Sequence, residues 1–167
     1  MKKTIITLII TVFAAISATS QTKFDLPQNI ELKKDSDYAK YENDISSAAK
    51  WLEETDLNQE TDKRKQIDAF IIKWVSGTPN VTVDVNQSLM KLYGDNHELL
   101  VLYMASYSAY SLENKNANKT AAVKAGIVSM MNVYKKGISI KKSKEMEKAI
   151  KLLDENKLDE YIEKNFG

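Results

Sequence analysis

The fold of this chain is decided by an uncharged stretch near its middle, which reads LLVLYMASYSAYSL over residues 99–112. A helix that is apolar on nearly all sides is a buried one. With fourteen residues the stretch is too short to span a bilayer, which takes about 20. Asn96 precedes it as a candidate N-cap, and Glu98 lies in the first turn, where a negative charge complements the helix dipole. We therefore predict a buried central helix around which other helices pack.

On both sides of this stretch, apolar residues recur at spacings of three and four, which places them on one face of a helix. One helix is predicted over residues 36–52, and a second over residues 61–75 that ends because Gly77 takes a left-handed conformation. Further helices are predicted over residues 87–93 and 119–136, and two more follow: one that Ser143 opens and a short last one over residues 157–164. Short polar turns join successive helices, as in helical hairpins. The predicted fold class is all-α, a single bundle of about six antiparallel helices around the central one.

Residues 81–85, called the connector below, read VTVDV and alternate as a half-buried strand does. The sequence contains no convincing second run to pair with them, and an unpaired buried strand leaves its backbone groups unsatisfied. We therefore predict that the connector is extended and lays its valines on the bundle. It is also a candidate binding surface.

The composition favours a helical domain that is held together by packing alone. Cysteine is absent, so disulfides cannot contribute, and two prolines and five glycines are too few for the many tight turns of a sandwich or barrel. Removal of residues 1–20 as a signal peptide would leave 147 of the 167 residues, the usual size of one domain. These carry 22 basic and 23 acidic residues, a net charge of −1. This balance argues against a nucleic-acid partner.

The first twenty residues have the pattern of a cleavable secretory signal peptide. Lys2 and Lys3 give a basic start, an uncharged and mainly apolar run covers residues 4–18, and small residues precede a cleavage point between Ser20 and Gln21. The run is shorter than a membrane-spanning helix, so we prefer cleavage to an uncleaved membrane anchor. A lipid anchor would need a cysteine after the cleavage point.

This pattern divides the chain into three parts: a signal peptide over residues 1–20, an extended lead-in over residues 21–35 and a helical domain over residues 36–167. After cleavage no membrane span is expected to remain. The predicted location is the periplasm or the cell exterior.

Three tyrosines share one side of the central helix at positions i, i+4 and i+7, namely Tyr103, Tyr107 and Tyr110. Large amphipathic rings on a buried helix usually pack in the core, with each hydroxyl reaching a partner or water. Core packing is therefore the expected arrangement. The alternative is a ligand groove, because pockets are mainly apolar with a few placed hydroxyls.

A lysine-rich patch is predicted between residues 135 and 151, where seven lysines stand against two glutamates. Its lysines are Lys135, Lys136, Lys141, Lys142, Lys144, Lys148 and Lys151. Such a patch can bind an anionic polymer or lipid headgroups of a cell envelope. The alternative, favoured by the neutral overall charge, is a solvated helix face with Glu–Lys pairs.

The sequence has no pattern that indicates a cofactor, a metal site or a familiar catalytic site. His97 is the only histidine, and Val101 stands where a second zinc ligand on the same helix face would be. A nucleophilic serine would have only His97 as its base, and Ser106 fits better as a small packing residue. Glu53 and Glu54 fall on a predicted polar face, so we expect solvated carboxylates there.

Four segments resemble a group of small exported helical proteins of Gram-negative bacteria that have no known activity. They are residues 73–83 (KWVSGTPNVTV), 110–114 (YSLEN), 134–137 (YKKG) and 144–148 (KEMEK). The resemblance covers nearly the whole chain after residue 20. It implies a shared helical fold and export, and it transfers no activity and no site residue.

The sequence therefore favours an exported, non-enzymatic binding or accessory protein of the cell envelope. Its partner would be another envelope protein or an anionic envelope polymer. Two alternatives stay open: an enzyme of unfamiliar design that uses Tyr, Lys and carboxylate side chains, and an inhibitor or immunity-like protein. A cleft that opens onto Tyr103 or Tyr107 and faces a carboxylate would favour the enzyme.

Overall fold

The computed structural model describes residues 23–116 and 118–167, which form eight α-helices and no β-strand. The predicted signal peptide and its cleavage point lie outside the described residues. The helices are α1 (Asp35–Ala39), α2 (Glu42–Glu54), α3 (Thr61–Val75), α4 (Gln87–Tyr93), α5 (His97–Glu113), α6 (Lys119–Lys136), α7 (Lys144–Asp154) and α8 (Leu158–Phe166). The all-α fold class is confirmed, with eight helices in these residues where about six were expected.

One reason for the larger number is that the helix expected over residues 36–52 is divided at residues 40–41. The carbonyl of Tyr38 accepts hydrogen bonds from the Tyr41 N–H at 3.1 Å and from the Trp74 indole N–H at 2.9 Å. A tight turn and a tertiary contact thus occupy the Tyr38 carbonyl, which in a continuous helix would accept the N–H of residue 42. The apolar stripe continues across the break, so hydrophobic periodicity does not reveal it.

The helix α5 is the centre of the molecule, as the sequence predicts. Helices α2, α3, α4 and α6 pack against it, while α7 and α8 pack mainly on α4, on α6 and on each other. The tryptophans Trp51 of α2 and Trp74 of α3 are both buried in the core around it. The central position of α5 explains why its sequence is apolar on nearly all sides.

The two glycines that follow α3 and α6 act differently. Gly137 has a φ of +69° and ends α6 in the left-handed conformation typical of helix C-termini. The same expectation for Gly77 is wrong, because its φ is not positive. A Cβ on Gly77 would lie 2.0 Å from the Tyr38 hydroxyl oxygen, so this glycine permits the close approach of α1.

Asn96 precedes α5, but its side chain does not cap the helix as expected. Its Oδ1 accepts the Lys141 N–H at 2.7 Å, and its Nδ2 donates to the carbonyls of Tyr93 at 3.0 Å and Lys141 at 2.9 Å. The buried amide therefore joins the α4–α5 corner to the loop between α6 and α7. The Asn96 side chain is stabilised more by three hydrogen bonds to the backbone than by the single hydrogen bond of a helix cap.

The connector joins α3 to α4 without forming a helix or a strand. Val81 is buried and Val83 is partly buried against the core, but Val85 is 44% exposed. Thr82 and Asp84 are exposed. The expectation that the valines lie on the bundle is right for the first two and wrong for Val85.

Candidate functional site

The three tyrosines of the central helix face two different surfaces. The ring of Tyr103 is fully buried, that of Tyr107 is nearly so, and the two ring centroids are 5.9 Å apart. Both residues border clefts on the connector side of the molecule. Tyr110 is only partly buried and lines a separate groove between α2 and α6. The rings of Tyr103 and Tyr107 therefore belong to the core. Any part that these residues play in binding or catalysis involves their hydroxyls.

Gly126 of α6 determines where the Tyr103 ring can lie. A Cβ on Gly126 would be 2.6 Å from Cδ2 and 2.9 Å from Cε2 of that ring, and 3.1 Å from the Tyr103 carbonyl oxygen. A glycine is therefore needed for α5 and α6 to approach this closely with the tyrosine ring against α6.

We expect Gly126→Ala to lower the free energy of unfolding by about 1 kcal/mol. Overpacking costs about 1–3 kcal/mol, and the better helix propensity of alanine offsets up to about 1 kcal/mol of this. Chemical denaturation followed by circular dichroism measures the change. In a Tyr103→Leu background the ring contacts are absent and the carbonyl contact remains, so the same substitution should cost less. An equal loss in both backgrounds would show that the ring contact is not the cause.

The hydroxyl of Tyr103 is buried and has no hydrogen-bond partner among the described residues. Burial raises the pKa of this phenol well above its ordinary value, and the nearby Tyr107 and Asp84 raise it further. The group is therefore protonated at neutral pH and can both donate and accept. Leaving such a group unpaired costs about 1–3 kcal/mol, which is why most buried hydroxyls are paired. It is a natural partner for a polar atom of a bound ligand.

Two clefts follow one another along the connector. The Tyr107 cleft has a volume of about 400 Å³, and its walls include Val81, Thr82, Asp84, Tyr107, Asn118 and Lys119. The Tyr103 cleft has a volume of about 260 Å³, and its walls include Asp84, Val85, Tyr103, Lys119, Val123 and Phe166. The two clefts therefore share Asp84 and Lys119.

Asp84 and Lys119 form an ion pair between the clefts, with 2.6 Å between the ammonium nitrogen and a carboxylate oxygen. The hydrogen bond to Asp84 raises the pKa of Lys119. Both side chains are about half exposed, and such pairs contribute little to stability. Lys119 is the first residue of α6, where the helix dipole disfavours a cation. Lys119 was not among the site residues predicted from the sequence. Its unfavourable position at the start of a helix is the signal that would have indicated it.

The site is better suited to binding than to proton transfer. Burial raises the pKa of both Tyr103 and Tyr107, away from the neutral range in which a general acid or base works best. Their hydroxyls can exchange hydrogen bonds with a ligand, and Asp84 and Lys119 offer one charge of each sign. The clefts face the Asp84 carboxylate, an arrangement that would favour an enzyme. The raised pKa of both tyrosines favours ligand binding instead.

A second polar cluster, which the sequence reasoning missed, lies in the groove of about 490 Å³ that Tyr110 lines. Ser106 donates to Ser129 at 2.9 Å, Ser129 donates to the Glu53 carboxylate, and Asn132 donates to the other Glu53 oxygen at 2.8 Å. The expectation of a freely solvated Glu53 is therefore wrong, and Ser106 does more than fill space. The residues come from three helices, so no sequence spacing connects them.

Two lysines of the predicted lysine-rich patch make contacts within the fold. The ammonium of Lys136 donates to the carbonyls of Glu53 at 2.7 Å and Glu54 at 2.9 Å, at the C-terminal end of α2. A cation is favourable there because it complements the helix dipole. Lys135 approaches Asp154 at 4.0 Å. These two lysines are thus engaged within the fold.

The other five lysines of the patch lie on α7 or just before it. Lys141, Lys142 and Lys144 are exposed next to the start of α7. Lys148 lies in a separate groove of about 370 Å³, which Lys91 also lines. Lys151 is exposed and approaches Glu155 at 3.8 Å. These five lysines therefore stay on one element of the fold, while Lys135 and Lys136 belong to α6.

Among residues 23–116 and 118–167, no three His, Cys, Asp or Glu side chains lie close enough together to hold a metal ion. His97 is exposed at the start of α5, and its ring centroid is 5.9 Å from that of Tyr93. None of the helices in this described part is long and apolar enough to cross a membrane.

No protein-family model, curated protein or solved structure matches this chain. The geometry of the connector and its two clefts is therefore the basis on which a function can be proposed.

Proposed function

We propose that this chain is an exported, non-enzymatic binding protein of the bacterial cell envelope whose ligand occupies the two clefts along the connector. The observation that carries the proposal is the buried Tyr103 hydroxyl, which belongs to a residue that lines one cleft and has no partner in the described part of the chain. A fold selected for stability alone would have phenylalanine at this position, because an unpaired buried hydroxyl is costly. A ligand that supplies the missing hydrogen bond explains the tyrosine.

The charges of the site also support a polar ligand. Asp84 and Lys119 are weakly held to each other because they are exposed, so either can exchange its partner for a group of the ligand. The walls of the clefts carry charges of both signs, which favours another envelope protein over an anionic polymer as the partner.

Export is supported by the signal-peptide pattern of residues 1–20. Expression of the full chain in a Gram-negative host should give a periplasmic or extracellular protein that begins at Gln21, as N-terminal sequencing would read it. A cytoplasmic protein that retains Met1 would overturn this part of the proposal.

Tyr103→Phe tests the binding site. It should raise the free energy of unfolding of the ligand-free protein by about 1 kcal/mol, because it removes an unpaired buried hydroxyl. It should also weaken ligand binding by about tenfold, the equivalent of one good hydrogen bond. Denaturation measures the first effect. Carbon-13 labelling of the tyrosines and titration with an envelope extract measures the second, through the shift of the Tyr107 ring resonances, which both proteins have.

Tyr41→Phe is the matched control, because Tyr41 is partly buried against the Phe70 ring of α3 and lines neither cleft. It should alter neither stability nor the titration. A Tyr103→Phe protein that is destabilised, or that titrates as the wild type does, would contradict the assignment. So would an extract that leaves the Tyr103 and Tyr107 resonances unchanged.

A further inference from the structure

The backbone of the connector is unpaired. No N–H or C=O group of residues 81–85 makes a hydrogen bond to another group in the described part of the chain. The hydrogen-bonded turns on either side end with the Thr78 N–H and resume with the Asn86 carbonyl. Five consecutive residues therefore have backbone donors and acceptors that no group in the described part of the chain uses. Such a row is a template for pairing with another extended chain.

The side chains of the connector hold it in a form that suits this pairing. Valine and threonine are strand-forming residues, and VTVDV alternates with the period of a strand. Val81 and Val83 anchor one face to the core, while Thr82 and Asp84 point outward and are exposed. The segment is thus fixed to the bundle by alternate side chains, so a partner strand would meet a prepared edge and lose less entropy on binding.

Both clefts lie along the connector. Val81 and Thr82 border the Tyr107 cleft, Val85 borders the Tyr103 cleft, and Asp84 borders both. Alternate side chains of a bound strand are about 7 Å apart and point the same way. A strand paired with the connector would therefore direct two alternate side chains toward the two clefts.

We propose that the connector binds an extended peptide segment of a partner protein by β-strand addition, with alternate peptide side chains entering the Tyr107 and Tyr103 clefts. In this binding mode, backbone hydrogen bonds supply affinity and side-chain pockets supply specificity. The Tyr103 hydroxyl selects a peptide side chain with a hydrogen-bonding group at the second position. The inference rests on the proposed function, which places the ligand in these clefts.

An array of acetylated heptapeptides, Lys-Thr-Xaa-Val-Xaa-Thr-Lys, tests the inference with the mature protein. The two Xaa positions are varied through all natural amino acids except cysteine and proline, and the terminal lysines keep the peptides soluble. We expect a subset to bind saturably in calorimetric titrations and to slow hydrogen exchange of connector amides. We expect Tyr103→Phe to weaken the best peptide by about tenfold, and Tyr41→Phe to leave it unchanged. An array in which no peptide binds overturns the inference.

Two N-methylated forms of the best peptide provide the control for backbone pairing. Alternate residues of a strand direct their N–H groups to the same edge, so methylating the two Xaa nitrogens blocks one edge, and methylating the Thr, Val and Thr nitrogens blocks the other. One form should bind at least tenfold more weakly and the other should bind nearly as the parent does. Equal affinities of the two forms overturn β-strand addition.

The envelope extract separates failure of this inference from failure of the proposed function. If the extract shifts the Tyr103 and Tyr107 resonances and the shift survives protease digestion, the clefts bind a different class of ligand, such as a glycan. The proposed function then stands and the peptide inference is wrong. If neither extract nor peptide shifts them, both are wrong.

Discussion

Replacing Arg64 with alanine should lower the free energy of unfolding by about 3 kcal/mol, the largest effect expected in this protein from a residue outside the apolar core. The guanidinium is only 4% exposed, and its Nη2 donates to the Thr55 carbonyl at 2.6 Å. Its carbon Cζ lies 5.4 Å from the centroid of the Trp51 ring. One side chain therefore holds the turn between α2 and α3 and covers a core tryptophan. Its loss removes a charged hydrogen bond and leaves a cavity.

Lys63→Ala is the matched control for this substitution. Lys63 precedes Arg64 and also places its charge over Trp51, at 5.0 Å, but its side chain is 26% exposed and its ion pairs with Asp25 and Glu60 are long. We expect a loss below about 1 kcal/mol, as for other solvent-accessible pairs. Guanidinium denaturation of both variants measures the difference. Equal losses would mean that the cation over the ring, and not the buried hydrogen bond, stabilises this turn.

Hydrophobic periodicity and helix-end signals predict most of this fold, because they depend on neighbours in sequence. The spans of α4 and α6 agree with the predictions, and Gly137 ends α6 as expected. The errors arise where a distant group takes over a backbone atom or a side chain. Trp74 binds the Tyr38 carbonyl at the break between α1 and α2, and Lys141 binds the Asn96 side chain. Neither contact has a local sequence signature.

The candidate site shows the same division between local and distant information. The tyrosines and the connector are visible in the sequence because alternation and helical spacing mark them. What joins them is not visible, since the ion pair of Asp84 and Lys119 crosses between segments that a helical hairpin brings together. The role of Gly126 depends likewise on the Tyr103 ring of another helix. Pairing of helices, more than the helices themselves, creates the clefts.

Asp68→Asn should change how stability depends on pH. Burial raises the pKa of Asp68 to about 6, with Glu98 raising it and Arg64 lowering it. Because the folded pKa lies above the unfolded value of 3.8, folding favours the protonated form. The stabilisation is fully present below about pH 4 and is lost as the pH rises through about 6. Solvent screening of a partly exposed group reduces the expected change to about 2 kcal/mol.

The asparagine variant has no proton to lose at this position, so it should be more stable than the wild type by about 2 kcal/mol above pH 7 and nearly equal to it at pH 4. Subtracting the two unfolding free energies at each pH removes the contributions of Asp37, whose pKa is lowered, and Asp44, whose pKa is raised. Asp62→Asn on the same helix is the control for the chemical change, because that side chain is 91% exposed and is not desolvated by folding. A flat difference for Asp68→Asn between about pH 4 and 8 would show that Arg64 compensates fully for the burial of the carboxylate. The two charges would then act as a balanced pair inside the α3–α5 contact, and the loss expected for Arg64→Ala would be larger above pH 6 than below it.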